Sequence, residues 1–355
     1  MSSIQKRPDG RWRARYRDLA GKEHAKHFTR KVDAQRWVDT VTASLVRGDY
    51  MSPARARTTV SQWCDTWLVG YATRRTSSVR TAKYHVSLIK DAFGPMPLAA
   101  VKPSDVKAWT VKLGETRQPS TVYAIYRRLA QVLGDAVHDG LIARSPCSRR
   151  TSPGMAKQRP YMATTEQVWD LYAATPEHLR VSVLLGAFVG LRVAEAVALR
   201  VTDVDFLRRL VRPEIQYPAE PLKSETSKTP VPIPDELTLE LAAVAERWGA
   251  PTFVCDIFSM PTNPWAIERA IREVRGSVKD LPAGFRFHDL RHYYASLLIS
   301  AGLDVKVVQA RLRHASATTT LNTYGHLWPD RDESARTAVA AAFSGRGSNE
   351  ASLTH

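Results

Sequence analysis

The stretch GFRFHDLRHYYASLLISAGLDVKVVQARLRHASATTTLNTYGH, residues 284–326, decides how the chain is to be read. His288 and Arg291 lie three apart, so on a helix they share one face. Leu297, Leu298 and Ile299 supply apolar positions for a buried side. Gly302 followed by Asp304 reads as a helix stop and then an N-cap, which predicts a second helix from Val305 to about Leu312. His314 and, ten residues further on, Tyr324 complete the polar set, so catalytic-type side chains recur at helix starts.

The types present narrow the chemistry. Arginine offers a planar fork of donors that matches phosphate oxygens. Histidine moves a proton near neutral pH. Tyrosine attacks as a phenolate, but an ordinary pKa of ~10 means it needs a base and cationic neighbours. Each residue taken alone is ordinary: a helix cap, a salt-bridged arginine, a core tyrosine. Taken together they suit transfer of a phosphodiester onto tyrosine.

HDLRHYYAS, the RLRH segment and Tyr324 resemble the signature of the tyrosine recombinase (phage integrase) family. An upstream arginine box is present as well, GAFVGLRVAEAVAL, with Arg192 followed at i+3 by Glu195. The likeness covers residues 160–345, with three separated motifs in the right order. It implies a mostly helical catalytic domain with a small β-hairpin that carries a catalytic lysine. Two lysines compete for that place. Lys223, nine residues before Pro232, fits the family's register and is preferred over Lys228. The implied set is therefore Arg192, Lys223, His288, Arg291, His314 and Tyr324.

The resemblance also implies roles. Tyr324 would attack phosphorus to give a 3′-phosphotyrosyl link, with Arg192 and Arg291 on the non-bridging oxygens. His288 would accept the tyrosine proton, Lys223 would protonate the leaving oxygen, His314 would bond the phosphate, and Glu195 would orient its neighbours. No cofactor, metal or ATP is implied. The expected partners are double-stranded DNA at core and arm-type sites, a homotetramer on that DNA, a host DNA-bending protein and a directionality factor. One departure stands out: where the family commonly has Leu-Gly-His, this chain has Leu312-Arg313-His314, with arginine in place of a residue that tolerates unusual backbone angles.

The chain of 355 residues is long enough for two or three domains, with ordinary hydrophobic (44%) and charged (24%) content, which excludes wholesale disorder. Its longest apolar run, Val181 to Leu191, is too short to span a bilayer, and MSSIQKRPDGRW lacks a signal-peptide core. Cys64, Cys147 and Cys255 have no metal-type spacing and read as thiols in a reducing cytoplasm. The net charge of +16 points to a polyanion. Residues 1–57 carry 14 Lys and Arg against 6 Asp and Glu, and residues 58–159 carry 16 against 6. Residues 160–355 carry 21 against 23, so the grip on DNA is expected from the first 159 residues.

Trp12, Ala14 and Tyr16 alternate with Arg11, Arg13, Arg15 and Arg17, the period of a strand with one apolar face and one guanidinium ladder. Residues 4–28 read as a small sheet followed by a helix that Gly48 ends, similar to the family's arm-type DNA-binding domain. Residues 58–143 show four helical stripes and resemble its core-binding domain, with Arg74, Arg75, Arg80, Lys83, Arg127 and Arg128 as candidate phosphate contacts. The fold class is thus multidomain and mainly α. It comprises an α+β domain at 1–50, a helical domain at 58–143, a flexible linker at 144–160, the catalytic domain at 161–345 and a disordered tail at 346–355. Within the catalytic domain the chain is expected to be helical from Thr164 to about Leu199, with Thr165 as a cap. Strands are expected at Val204–Glu214 and Thr229–Ile233 with LKSETSK as the turn, and an alanine-rich helix at 331–343 is an expected oligomer contact.

The best reading is an integrase of a temperate phage or integrative element. A cellular Xer-like recombinase for dimer resolution, a type IB topoisomerase and a DNA-binding regulator with an inactive site remain as alternatives. The segment at 1–50 favours the phage type.

Overall fold

A computed structural model describes residues 2–18, 21–47, 57–154, 160–222, 224–328, 336–337 and 339–343. The chain divides into two compact units, 1–157 and 158–355.

In the first unit β1 (Ser3–Lys6), β2 (Trp12–Arg17) and β3 (Glu23–Phe28) form an antiparallel sheet in the order β1-β2-β3. The alternation in β2 has its expected consequence. Ala14 and Tyr16 are buried, and with Trp12 they face α1 (Lys31–Arg47), whose Ala34 and Val38 close a small core. Trp37 of that helix meets the Tyr16 ring edge-on at 5.3 Å. The guanidiniums of Arg13 and Arg15 lie on the other face, beside Glu23.

Four helices follow: α2 (Val60–Tyr71), α3 (Thr76–Phe93), α4 (Pro103–Gly114) and α5 (Pro119–His138). Thr59 and Gln62 make a capping box at the start of α2. Pro103 and Pro119 open α4 and α5, where a missing N–H costs nothing. The apolar stripes meet in one core, and two tryptophans tie α2 to α5. Trp63 Nε1 donates to the Val132 carbonyl at 2.8 Å and Trp67 Nε1 to Asp135 Oδ2 at 2.6 Å. Arg128 stacks over Tyr71, 4.7 Å from the ring centre. The linker expected at 144–160 starts later than its composition suggests. Tyr126 Oη of α5 donates to the Ser148 carbonyl at 2.8 Å, and Thr151 is buried, so the chain stays docked there.

The second unit is built on α7 (Glu177–Phe188), which is buried on nearly every side from Leu179 to Ala187. The helical stretch expected from Thr164 to about Leu199 is divided into three helices. These are α6 (Thr165–Ala174), α7 and the one-turn α8 (Val193–Ala196). Pro176 forces the residue before it out of helical angles, and Gly190 takes φ +68° after α7. The cap of α6 is Thr164 rather than Thr165, through a capping box with Gln167.

The strand expected at 204–214 is itself folded. β4 (Val204–Asp205) and β5 (Leu210–Val211) pair antiparallel, because Asp205 Oδ1 accepts the Arg208 N–H and starts a turn. β6 (Ile215–Gln216) and β7 (Glu220–Pro221) form a second small hairpin, and β8 (Val231–Pro232) joins β5 to give the order β4-β5-β8. Then come α9 (Asp235–Trp248), α10 (Pro264–Val274), α11 (Phe287–Ser300), α12 (Val305–Leu312) and α13 (Ala317–Tyr324). Gly186 lets α11 approach α7, since a Cβ there would meet Leu290 Cβ at 3.0 Å. Asp304 caps α12 as its sequence predicts, accepting from Lys306 and Val307. Of the alanine-rich stretch 331–343, the described residues are helical and exposed. Gly48 and the tail 346–355 lie outside the described residues.

Candidate active site

Arg291 stands in the second turn of α11 and is 1% exposed. Its guanidinium donates to the carbonyls of Gly190 and Leu312. Both acceptors are otherwise awkward: one sits in the turn after α7, and the other is an end carbonyl of α12 that its own helix cannot satisfy. One side chain therefore pins three segments distant in sequence. Burial pushes Arg291 down to about 9, with Arg192 and then Arg313 adding to the effect, and it remains charged at neutral pH.

Gly190 is the tightest point of this arrangement. A Cβ there would lie 2.4 Å from the Tyr294 ring, at a backbone angle that L side chains resist. Gly190→Ala is expected to cost more than the ~1–2 kcal/mol of the left-handed backbone alone. It should also move the carbonyl that Arg291 uses. Thermal unfolding together with single-turnover cleavage would show both losses, and an unchanged variant would refute the close packing.

Arg192 caps α8, and Glu195 folds back on it. Glu195 Oε1 accepts from Arg192 Nη1 at 2.8 Å, and Oε2 accepts the Arg192 backbone N–H at 3.0 Å. A third donor was not foreseen: Arg313 Nη2 reaches Oε2 at 2.6 Å, while Arg313 Nη1 donates to the Ser227 carbonyl at 3.2 Å. Burial opposes the charge on Glu195, but Arg313 and then Arg192 outweigh it and hold the carboxyl below its ordinary value. Arg313 takes φ 54°, the left-handed conformation that a glycine would adopt freely. Its side chain is not a surface cation but half of a buried ion pair.

His314 follows directly, with Nδ1 2.9 Å from Thr320 Oγ1. A hydroxyl that donates to Nδ1 leaves an N–H on Nε2 free for a ligand. Tyr324, the last residue of α13, is 1% exposed, and its ring stacks parallel to that of His314 at 6.5 Å. Burial pushes its phenol up to about 12, and Arg291 only partly offsets this. The group at hydrogen-bond distance is His292, whose Nδ1 lies 2.7 Å from Tyr324 Oη. The expectation that His288 takes this place is not met. His288 stands at the start of α11, and its ring lies edge-on to that of His292 at 4.8 Å.

Of the six expected site residues, Arg192, His288, Arg291, His314 and Tyr324 are gathered in one place. Arg192 and Arg291 both act electrostatically on His288 and His314. Lys223 lies outside the described residues, but Ser227 in the turn beyond it is the residue that Arg313 holds. Lys228 is half-exposed in that turn and donates to Glu225 Oε1 at 2.7 Å. His292, Arg313 and Thr320 were missed as site residues. For His292 a signal existed, because it lies at i+4 from His288 on one helix face. Among the described residues, no group of three or more His, Cys, Asp or Glu side chains is arranged to hold a metal ion.

The three histidines give this unit an acid-side weakness. Burial lowers His292 to about 4, with His288 and Arg291 contributing. Burial, Arg291 and Arg192 lower His314 to about 4, and the same three lower His288. Between the ordinary value near 6.5 and about 4, the unfolded chain takes up protons that the folded one refuses. Stability is therefore full above pH 6.5 and is lost as the pH falls toward 4. After discounting for partial exposure, the loss should be about 2–4 kcal/mol in total. Denaturant unfolding at pH 7.5 and pH 5 checks this, and an equal midpoint at both would contradict it.

Known proteins resemble the chain in sequence and in fold. The chain matches the Phage integrase family over residues 162–331 and the phage integrase N-terminal domain over residues 2–47. It is 25% identical over 368 aligned positions to a putative prophage phiRv2 integrase of Mycobacterium tuberculosis, across 96% of this chain and 94% of that one. It is 30% identical to the tyrosine recombinase XerC of Roseiflexus castenholzii, across 63% of this chain and 73% of that one. In fold it is similar to a Tn1549 transposon integrase in complex with transposon right end DNA (TM-score 0.70, 18% identity, 80% of this chain and 99% of that one). It is also similar to a lambda integrase dimer bound to a core site (TM-score 0.63, 18% identity, 93% and 97%). Among the described residues, no helix is long and apolar enough to cross a membrane. A buried tyrosine ringed by basic groups, on a chain that matches this family near both its ends, has one reading: the protein belongs to the phage integrase family of tyrosine recombinases.

Proposed function

We propose that the protein is the integrase of a temperate phage or integrative element, which cuts and rejoins DNA strands through a 3′-phosphotyrosyl link to Tyr324. The observation that carries this reading is the convergence of Arg192, Arg291, His314 and Tyr324 from four separate segments around one point. Tyr324 Oη forms a bond to phosphorus as the bond to the 5′ oxygen breaks. Arg192 and Arg291 hold the non-bridging oxygens, where charge builds in the transition state. His314, with Nδ1 engaged by Thr320, donates to the phosphate from Nε2. Lys223 protonates the leaving oxygen. Lys228 is the weaker candidate because it is already committed to Glu225. The ester keeps the energy of the broken bond, so the 5′-hydroxyl of another strand reverses the step without ATP or a metal ion.

Residues 1–50 bind arm-type sites through the guanidinium face of β2, and the helical module at 58–143 binds the core site. Arg74, Arg80 and Lys83 lie together around one depression near the start of α3, a fitting place for backbone phosphates. The match at residues 2–47 favours the phage type over a Xer-like enzyme. A tetramer on DNA, a host DNA-bending protein and a directionality factor complete the assembly. The helical segment within 331–343, which exposes Val339 and Phe343, contacts a neighbouring protomer. The bacterial cytoplasm is the expected setting.

The test is a duplex carrying the attachment core, nicked so that the freed 5′ end diffuses away. Covalent protein–DNA adduct should accumulate with the full-length protein in the presence of EDTA. Binding without any adduct would favour a DNA-binding protein with an inactive site.

A further inference from the structure

We propose that His292, rather than His288, is the base that takes the proton of Tyr324 as the tyrosine attacks. The inference rests on the reading of Tyr324 as nucleophile and adds a catalytic residue to it. Four observations support it.

The first is contact. His292 Nδ1 lies 2.7 Å from Tyr324 Oη, and the rings meet at 63° with centres 5.5 Å apart. His288 lies one turn earlier on α11 and contacts the His292 ring rather than the phenol. The second is protonation state. Burial, His288 and Arg291 hold the imidazole down to about 4, so it is neutral at working pH and has a lone pair to offer. With the phenol protonated, the hydrogen bond runs from Oη to Nδ1.

The third is support. α11 is anchored by the buried guanidinium of Arg291, one residue before His292, so the base stands on a fixed element. The fourth concerns surroundings. The titratable and charged groups facing His292 are His288 and Arg291 from its own helix, His314 beyond α12 and Tyr324 on α13. Asp289 acts on the phenol. None of these offers Tyr324 Oη a second acceptor at hydrogen-bond distance.

The step balances. The Oη–phosphorus bond forms while the phosphorus–5′-oxygen bond breaks. The phenol proton passes to His292 Nδ1, and the leaving oxygen takes its proton from the lysine assigned above. Burial raises the phenol and lowers the imidazole, which disfavours proton transfer ahead of attack. The proton moves as the new bond withdraws charge from the phenolic oxygen, and the bound phosphate raises the imidazole meanwhile. The imidazolium returns the proton when the 5′-hydroxyl re-attacks.

His292→Asn separates a base from a mere positioning contact, because its amide puts a polar atom near the place of Nδ1 but cannot accept a proton. On the nicked duplex, His292→Asn should bind DNA as wild type does and form adduct at least 100-fold more slowly. A fall in single-turnover rate at low pH is expected for wild type and should be absent in His292→Asn. A substrate with a 5′-phosphorothiolate leaving group should restore Lys223→Ala but not His292→Asn. Near-wild-type rates for His292→Asn, or loss of the low-pH fall in His288→Asn instead, would overturn the assignment. Wild-type protein that forms no adduct would sink the recombinase reading itself, so the two failures are distinguishable.

Discussion

Tyr324→Phe is expected to abolish covalent adduct completely while leaving the protein folded and bound to its site. The physical reason lies in how little else the hydroxyl does. The ring of Tyr324 is buried in the core of its unit and stacks on His314, and phenylalanine keeps both arrangements. Only the hydrogen bond to His292 Nδ1 is lost. A single such bond between partly buried neutral groups is worth about 1 kcal/mol, so the unfolding midpoint should shift little in either direction. DNA affinity, for which the basic first unit is the proposed source, should stay within about twofold, or ~0.4 kcal/mol. Gel shift and adduct trapping on one nicked duplex measure both properties. Residual adduct in this variant would mean that another nucleophile exists.

Glu195→Ala should be the most damaging single change to the fold of the site. Glu195 is 2% exposed and answers two guanidiniums, one of which belongs to an arginine whose side chain is wholly buried. Removing the carboxylate leaves Arg313 an uncompensated buried cation beside Arg192 and Arg291. Breaking a buried pair in this way costs about 3–5 kcal/mol. That corresponds to a fall in melting temperature on the order of 10 °C for a unit of this size. Cleavage should fall further than stability does, because Arg192 loses the partner that orients it. A second change, Arg313→Met, should return much of the stability, since the orphaned charge is then gone. Differential scanning calorimetry of the single and double variants decides the matter. A cost for Glu195→Ala below 1 kcal/mol would show that the pair carries no weight.

Much of this was legible in the sequence, for identifiable reasons. Helices were readable because apolar stripes, caps and prolines act locally: Asp304, Pro103 and Pro119 sit at helix starts in the structure. The β2 ladder was readable because a period of two survives even in six residues. The two-residue strands of the second unit were not, since so short an element has no period to detect. The docked segment at 146–152 was hidden because its anchor, Tyr126, lies in another element. Arg313 was visible as a departure at a glycine-like position, but its partner Glu195 lies 118 residues away. The choice between His288 and His292 depends on how α13 packs against α11, and helix periodicity alone allows either.

The pin made by Arg291 reaches beyond the chemistry. Its two backbone acceptors lie 101 residues upstream and 21 residues downstream, and the tyrosine comes later still. A chain that ends before residue 312 lacks one of the two acceptors, so the guanidinium is expected to gain its full anchorage only once α12 is in place. A polypeptide still emerging from the ribosome, or one clipped before residue 312, is therefore expected to leave the site unassembled.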